Sequence, residues 1–364
     1  MHTTIVGRPV SELDTPVLLI DLDAFERNLA LMSGEIAAAG IAWRPHAKGH
    51  KCPAIAHKEL AAGAIGVTCA KLGEAEVMAA NGIRDILVAN QVVGPIKARR
   101  LAALCAHADV IVAVDSIENA KELSAAACAH GTCPRVVVEL NVGMDRSGVL
   151  PGDPAVALSR QIAALEGIRY VGLMGYEGHG MEVPDPAARA ATIETAVRAL
   201  VETADACRAA GLPVEIVSAS GTGTYRSAVA INGITEVQAG GGLFGDAVYR
   251  DLGVPVEPAL ILLTQVVSRP APDRIVVDAG RKTTDPGERP PKARNLDGVV
   301  SLALSAEHGR FLLDHPTDRP RIGDRLELEI GYHDQTTHLH EALYGVRAGM
   351  VETVWPVAAR GRLQ

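Results

Sequence analysis

The chain has 364 residues, 48% of them hydrophobic and 21% charged, so it can bury a sizeable core as one large domain or two ordinary ones. Its net charge of −8 argues against a nucleic-acid binder, which carries a basic face. Aromatic residues make up only 3%, so the core must be built from Ala, Val, Leu and Ile.

No apolar run reaches the roughly 18 residues of a transmembrane helix. The N-terminus, MHTTIVGRPVSELDTP, lacks a basic segment followed by a long apolar one, so neither a membrane span nor a signal peptide is expected. The six cysteines form no CxxC pair and no zinc-finger spacing, which fits reduced thiols in a cytoplasmic protein.

An opening strand over 16–22 (PVLLIDL) precedes a first helix over 23–39, and it need not share a sheet with the strands after that helix. Short β-rich runs then alternate with Ala-rich helical stretches. The strands are predicted at 41–47, 65–70, 85–89, 109–114, 135–141, 168–176, 214–219 and 234–239, with helices such as 51–63, 72–81, 94–106, 117–130, 154–165 and 186–211 between them. The runs are near-continuously apolar, as strands covered on both faces are. Strands alternating with helices imply a parallel sheet. Eight such units in about 230 residues match an α/β fold, the (β/α)8 barrel of TIM type. A doubly wound open sheet is the alternative.

The texture changes after residue 255. Strands are predicted at 259–268, 274–279, 298–305, 309–313, 325–331, 343–347 and 350–357, an antiparallel β-domain. The loop 282–295, rich in Pro and charge, is predicted to be exposed. The expected division is a barrel over 23–255 and a β-domain over 256–364 joined by residues 1–22.

Active sites of such barrels sit at the carboxyl ends of the strands. The first strand end offers Arg44, His46, Lys48, His50 and Lys51, and the fifth offers Asn141 to Arg146. The sixth offers Tyr176, Glu177 and His179; the seventh, Ser220, Gly221, Thr222, Gly223 and Thr224; the eighth, Gly240, Gly241 and Gly242. Two adjacent glycine-rich loops suit a phosphate, because backbone N–H groups approach an anion closely only where no Cβ intervenes. A half-buried lysine loses proton affinity, and its neutral amine can attack an aldehyde. That argument does not separate Lys48 from Lys51. Tyr176 or His179 could stack on a cofactor ring or move a proton. The segment 331–341 holds His333, His338, His340, Asp334 and Glu341, a mixture that suits Zn or Mn but matches no standard zinc spacing. On a strand, His338 and His340 would share a face.

Taken together, RPHAKGHK at 44–51, TPVLLIDLDAFERN, NVGMDRSGV, GYEGHGM, SASGTGTY, EVQAGGG and VWPVAARG resemble the D-threonine aldolase / D-serine dehydratase family over essentially the whole chain. The resemblance implies an alanine-racemase-like barrel with a C-terminal β-domain, binding pyridoxal 5′-phosphate as a Schiff base on Lys48 rather than Lys51. It implies that the loops Ser220–Thr224 and Gly240–Gly242 hold the cofactor phosphate and that Arg146, Tyr176 and His46 contact the cofactor. It makes His179 the candidate base for a substrate hydroxyl. Many relatives carry a His-x-Asp or His-x-Cys metal pair in the C-terminal loop. Here Asp334 falls on the second position and Tyr332 on the first, with His333 one place along, so either His333 joins Asp334 on a divalent metal (Mn, Zn or Mg), or His338 or His340 takes its place, or the metal is absent.

The implied reaction is cleavage of a D-β-hydroxy-α-amino acid to glycine and an aldehyde. Dehydration of D-serine or D-3-hydroxyaspartate and racemisation, with Tyr332 as a second base, are alternatives on the same site. A non-enzymatic cofactor carrier would leave the β-domain without a purpose. The expected partners are a small amino acid and a second copy of the chain, as a homodimer.

Overall fold

Residues 5–285, 287 and 289–364 are described by the computed structural model of the chain. They fall into two compact units. One comprises Met32–Lys48, Ala56–Gly240 and Gly361–Gln364; the other comprises Met1–Leu31, Gly49–Ile55 and Gly241–Arg360. Strand β1 (Val17–Asp21) opens the chain, followed by a helix over Leu22–Ala38.

The first unit is a ring of parallel strands. These are β2 (Ala42–Trp43), β3 (Val67–Cys69), β4 (Asp85–Gln91), β5 (Asp109–Val114), β6 (Arg135–Leu140), β7 (Arg169–Gly175), β8 (Ile216–Ala219) and β9 (Glu236–Val237). Their order is β2-β9-β8-β7-β6-β5-β4-β3. The two ends of that order meet: His46 bridges Thr68, Ile65 N–H donates to Trp43 O at 2.8 Å, and Thr68 N–H donates to Pro45 O at 2.8 Å. The eight predicted strands are all present, because strands buried on both faces read as unbroken apolar runs. Leu87, Ile111, Ala113, Val137, Val171, Met174 and Ile216 form one core cluster on these strands.

Helices fall where predicted. Ile117–His130 shows why: the Ser116 side chain accepts from Asn119 N–H at 3.3 Å, and Gly131 closes the helix in the left-handed region at φ 66°.

Arg44 runs the other way from the strand ends that carry the chemistry. It is 1% exposed, and its Nη1 lies 2.6 Å from Asp85 while its Nε lies 3.1 Å from Glu236, the first residues of β4 and β9. It is therefore a buried structural ion pair at the amino ends of the strands. Arg44→Ala would strand Glu236 as a buried charge and cost about 3–5 kcal/mol of stability. A urea titration that finds less than about 1 kcal/mol would contradict this.

The second unit is a mixed sheet. Its strands are β10 (Leu260–Ala271), β11 (Arg274–Val277), β12 (Lys292–Ala293), β13 (Val299–Leu304), β14 (Gly309–Leu313), β15 (Arg325–Glu329), β16 (Ala342–Arg347) and β17 (Met350–Pro356). The order is β13-β14-β11-β10-β1-β16-β17, with β15 on β10 and β12 on β15. All pairings are antiparallel except β1 with β16, so the opening strand sits inside this sheet. Leu13, Val17, Leu19, Ile261, Leu263 and Val351 form a core cluster there.

Two expectations are corrected. Part of the loop 282–295 is not exposed coil: Lys292–Ala293 pairs with β15 and Ala293 is buried (Pro286 and Glu288 lie outside the described residues). Residues 333–339 are helical turns, not a strand, because Thr336 Oγ1 and Thr337 Oγ1 donate back to Tyr332 O at 3.1 Å and His333 O at 3.2 Å. His338 is consequently exposed, while His340 Nε2 reaches Thr283 O at 2.7 Å, so the two share no strand face.

Candidate active site

In the barrel unit the chain leaves β2 with Arg44 and His46 still bonded across to Val237 O and Gln238 O, each at 3.0 Å. It then tightens into a single turn over Ala47–Gly49, which carries Lys48. The Lys48 backbone N–H donates to His46 Nδ1 at 3.3 Å, which leaves Nε2 as the protonated nitrogen of a neutral imidazole. Lys48 is half-buried. Gly240 makes this packing possible: a Cβ there would lie 2.6 Å from both His46 N and His46 O.

The neighbouring strand ends supply the other groups. After β7, Tyr176 is half-buried, with its hydroxyl 3.5 Å from Met181 Sδ. Its ring lies 3.1 Å from where a Gly221 Cβ would stand, which brings the β7 and β8 ends together. His179 sits in a turn over Gly178–Glu182, and its ring lies over Gly143, where a Cβ would be 2.6 Å away. His179 Nδ1 is buried and, among the described residues, has no hydrogen-bond partner. Arg146 is exposed on the loop after β6, which Asn141 shapes by accepting from Gly143 N–H at 3.1 Å and Asp145 N–H at 3.0 Å.

After β8, Ser220 is held in the left-handed region at φ 66°, a conformation that costs a non-glycine residue about 1 kcal/mol. Gly221 N–H donates to Thr224 Oγ1 at 3.1 Å, closing the loop before the short helix Tyr225–Ala228. Ser220, Thr222 and Thr224 are all buried, and Ser220 Oγ has no partner. A half-buried amine, three buried hydroxyls in one loop and a glycine that admits no Cβ are a donor set that fits a phosphorylated aldehyde.

The remaining predicted residues belong to the second unit. Lys51 is 8% exposed at φ 51°, and its carbonyl accepts from Ala359 N–H at 3.0 Å. Gly241 and Gly242 open a buried turn over Gly241–Phe244. His333 is clamped by Asp246, whose Oδ2 accepts from His333 N at 3.0 Å and lies 2.5 Å from its Nδ1. Asp246 Oδ1 also caps the helix Ala247–Asp251 through Tyr249 N–H at 3.2 Å. Phe244, Tyr249 and Tyr332 surround the imidazole, and Gly49 and Gly241 leave room for it, since a Cβ on either would overlap the ring. The Tyr332 hydroxyl lies 3.4 Å from Asp334 Oδ2. Among the described residues no group of three or more His, Cys, Asp or Glu side chains is gathered as a metal donor set.

Two buried acids escape a reading of the sequence by motif. Asp246 stands just after a glycine run, in GDAVYR, where its position before a short helical stretch signals an N-cap. Glu177 is 1% exposed beneath the β8 loop; its place in the strand-end motif could be read, but its burial could not.

Residues 20–248 match the family described as alanine racemase, N-terminal domain, and residues 259–346 match the putative serine dehydratase domain. The chain is 37% identical to a D-threonine aldolase of Arthrobacter sp over 98% of its own length and 95% of the relative's. The crystal structure of D-threonine aldolase from Filomicrobium marinum superposes with a TM-score of 0.95 at 39% identity, covering 99% of this chain and 98% of that one. D-threo-3-hydroxyaspartate dehydratase from Delftia sp. HT23 superposes with a TM-score of 0.87 at 30% identity, covering 96% and 98%, and a mutant of that dehydratase is described in a metal-free form. Near-complete coverage of both chains, both domain matches and the barrel with its mixed sheet lead to one conclusion: this chain belongs to the D-threonine aldolase / D-serine dehydratase family of pyridoxal-phosphate-dependent enzymes.

Proposed function

We propose that the protein cleaves a D-configured β-hydroxy-α-amino acid between Cα and Cβ, releasing glycine and an aldehyde. One observation carries the reading. The strand ends of a single barrel bear a half-buried amine, an unpaired imidazole nitrogen and a closed hydroxyl-rich loop, in a chain that matches a D-threonine aldolase over its full length.

Pyridoxal phosphate bound there supplies an electron sink for charge developing at Cα. Lys48 is the residue for its aldehyde. Ser220, Gly221, Thr222, Gly223 and Gly240 serve its phosphate, and Gly241 and Gly242 continue that run in sequence. Tyr176, Arg146 and His46 serve its ring. His179 takes the proton from the substrate's β-hydroxyl, so that the hydroxyl carbon can leave as an aldehyde. Its place in the turn after β7, with its ring over Gly143, supports that role. The proton that restores glycine is delivered at Cα.

No step is assigned to a metal: among the described residues no group of three or more His, Cys, Asp or Glu side chains is gathered as a donor set.

The homodimer and the cytoplasmic location belong to the same proposal. The first rests on the family; the second rests on six cysteines that form no disulfide. No helix among the described residues is long and apolar enough to cross a membrane.

A dehydratase is the second reading, favoured by the match of residues 259–346 and by the Delftia dehydratase fold. Lys48 would then remove the Cα proton and the β-hydroxyl would leave, giving an oxo acid and ammonia. Incubation with D-threonine and D-serine separates the two. Glycine and acetaldehyde from D-threonine, with no oxo acid and no L-enantiomer, are the expected products. Oxo acid from either substrate as the main product would replace the aldolase with the dehydratase.

A further inference from the structure

Glu177 lies at the end of β7, two residues before His179, and has no part in the chemistry assigned above. Its side chain is fully enclosed, at 1% exposure, and its environment is the β8 loop. The hydroxyls of Ser220 and Thr224 and the backbone N–H groups of Glu177 and Ser220 lie around the carboxyl. Ser220 approaches it without completing a hydrogen bond, so Glu177 Oε1 and Ser220 Oγ both remain without a partner. A buried acid directly beneath the loop meant for a phosphate is a conflict if the acid is ionised. The two negative groups would repel each other in a poorly screened interior.

We propose that Glu177 is a positioning residue of the phosphate loop: from beneath Ser220 and Thr224 it holds the loop in shape as a neutral acid, adding no negative charge opposite a phosphate ester. This rests on the cofactor reading given above and deepens it. Burial pushes the Glu177 carboxyl above the ordinary carboxylate range, outweighing the hydroxyl and N–H groups that favour its charged form. A neutral carboxyl offers both an O–H donor and an acceptor oxygen. It can therefore engage Ser220, whose backbone is held at φ 66° and whose hydroxyl has no other partner. The acid does not touch the reacting atoms; it acts through the loop.

The test compares pyridoxal phosphate with pyridoxal, which lacks only the phosphate ester. Apparent Kd values for both are read from the visible absorbance change on titrating full-length protein freed of cofactor. The ratio of the two isolates the phosphate loop, because any general loss of folding weakens both ligands alike. Wild-type protein is expected to prefer the phosphorylated form strongly. Glu177→Met keeps the volume and removes the hydrogen bonding; it should lose at least about tenfold of that preference, one hydrogen bond's worth. Glu177→Gln is uncharged and keeps a donor and an acceptor, and it should retain the preference within about threefold. A Met variant with the wild-type ratio would overturn the positioning role. A Gln variant that falls as far as Met would overturn the neutral acid, since the carboxylate would then be needed. If wild-type protein itself shows no preference for the phosphate, the cofactor reading falls, and this inference with it.

Discussion

Replacing His179 by Asn is expected to lower kcat by about a hundredfold to ten-thousandfold, the range for removing a general base, while the protein keeps its bound cofactor. The reason lies in how the residue is held. Its ring rests on Gly143, whose φ of 126° only glycine adopts freely, and the turn over Gly178–Glu182 fixes its backbone. Pre-steady-state turnover of D-threonine, with the visible spectrum recorded in parallel, checks the expectation. A variant that loses its spectrum along with its activity would show His179 to be a cofactor contact instead. Gly143→Ala should produce a milder form of the same defect, because the added Cβ would displace the imidazole.

The other large effect belongs to Lys48. Lys48→Ala should abolish the yellow colour of the purified protein and lower activity at least about a thousandfold, since the nucleophilic amine is removed. Lys51→Ala should keep the colour and the activity per folded molecule. The structural contrast between the lysines is plain. Lys48 is half-buried at the mouth of β2, with its backbone N–H on His46. Lys51 is buried three residues later in the second unit, and its carbonyl ties down Ala359. Colour lost in Lys51→Ala but kept in Lys48→Ala would reverse the assignment.

The barrel could be read from the sequence because its strands are covered on both faces. A run such as Val110–Val114 is then continuously apolar, and the helix after it carries its own start and stop in Ser116 and Gly131. The opening strand is expected with the β-domain, and it does pair with β10 and β16; only its partners and register, more than two hundred residues onward, leave no local trace. Segment 333–339, which no predicted element covers, forms helical turns in which two threonine hydroxyls donate to carbonyls four residues earlier.

In the candidate site, motifs picked out the loops and the lysine, but not how each side chain is surrounded. Arg44 belongs to the same short motif as Lys48, yet it turns to the opposite ends of the strands to pair with Asp85 and Glu236. His333 looked like a ligand by residue type, and its partner Asp246 lies 87 residues earlier in the chain. Glu177 is flanked by Tyr176 and His179, and only its enclosure beneath Ser220 distinguishes it.

The central claim is that the bond broken is Cα–Cβ and not Cα–H. The fate of a deuterium placed at Cα of D-threonine tests it most directly. Under initial-rate conditions the aldol reading predicts glycine that retains the deuterium, unreacted D-threonine that retains it fully, and no primary isotope effect on turnover. Loss of the label to solvent, whether into 2-oxobutanoate formation or into exchange at unreacted threonine, would mean that the Cα proton is the one removed, and would contradict the account.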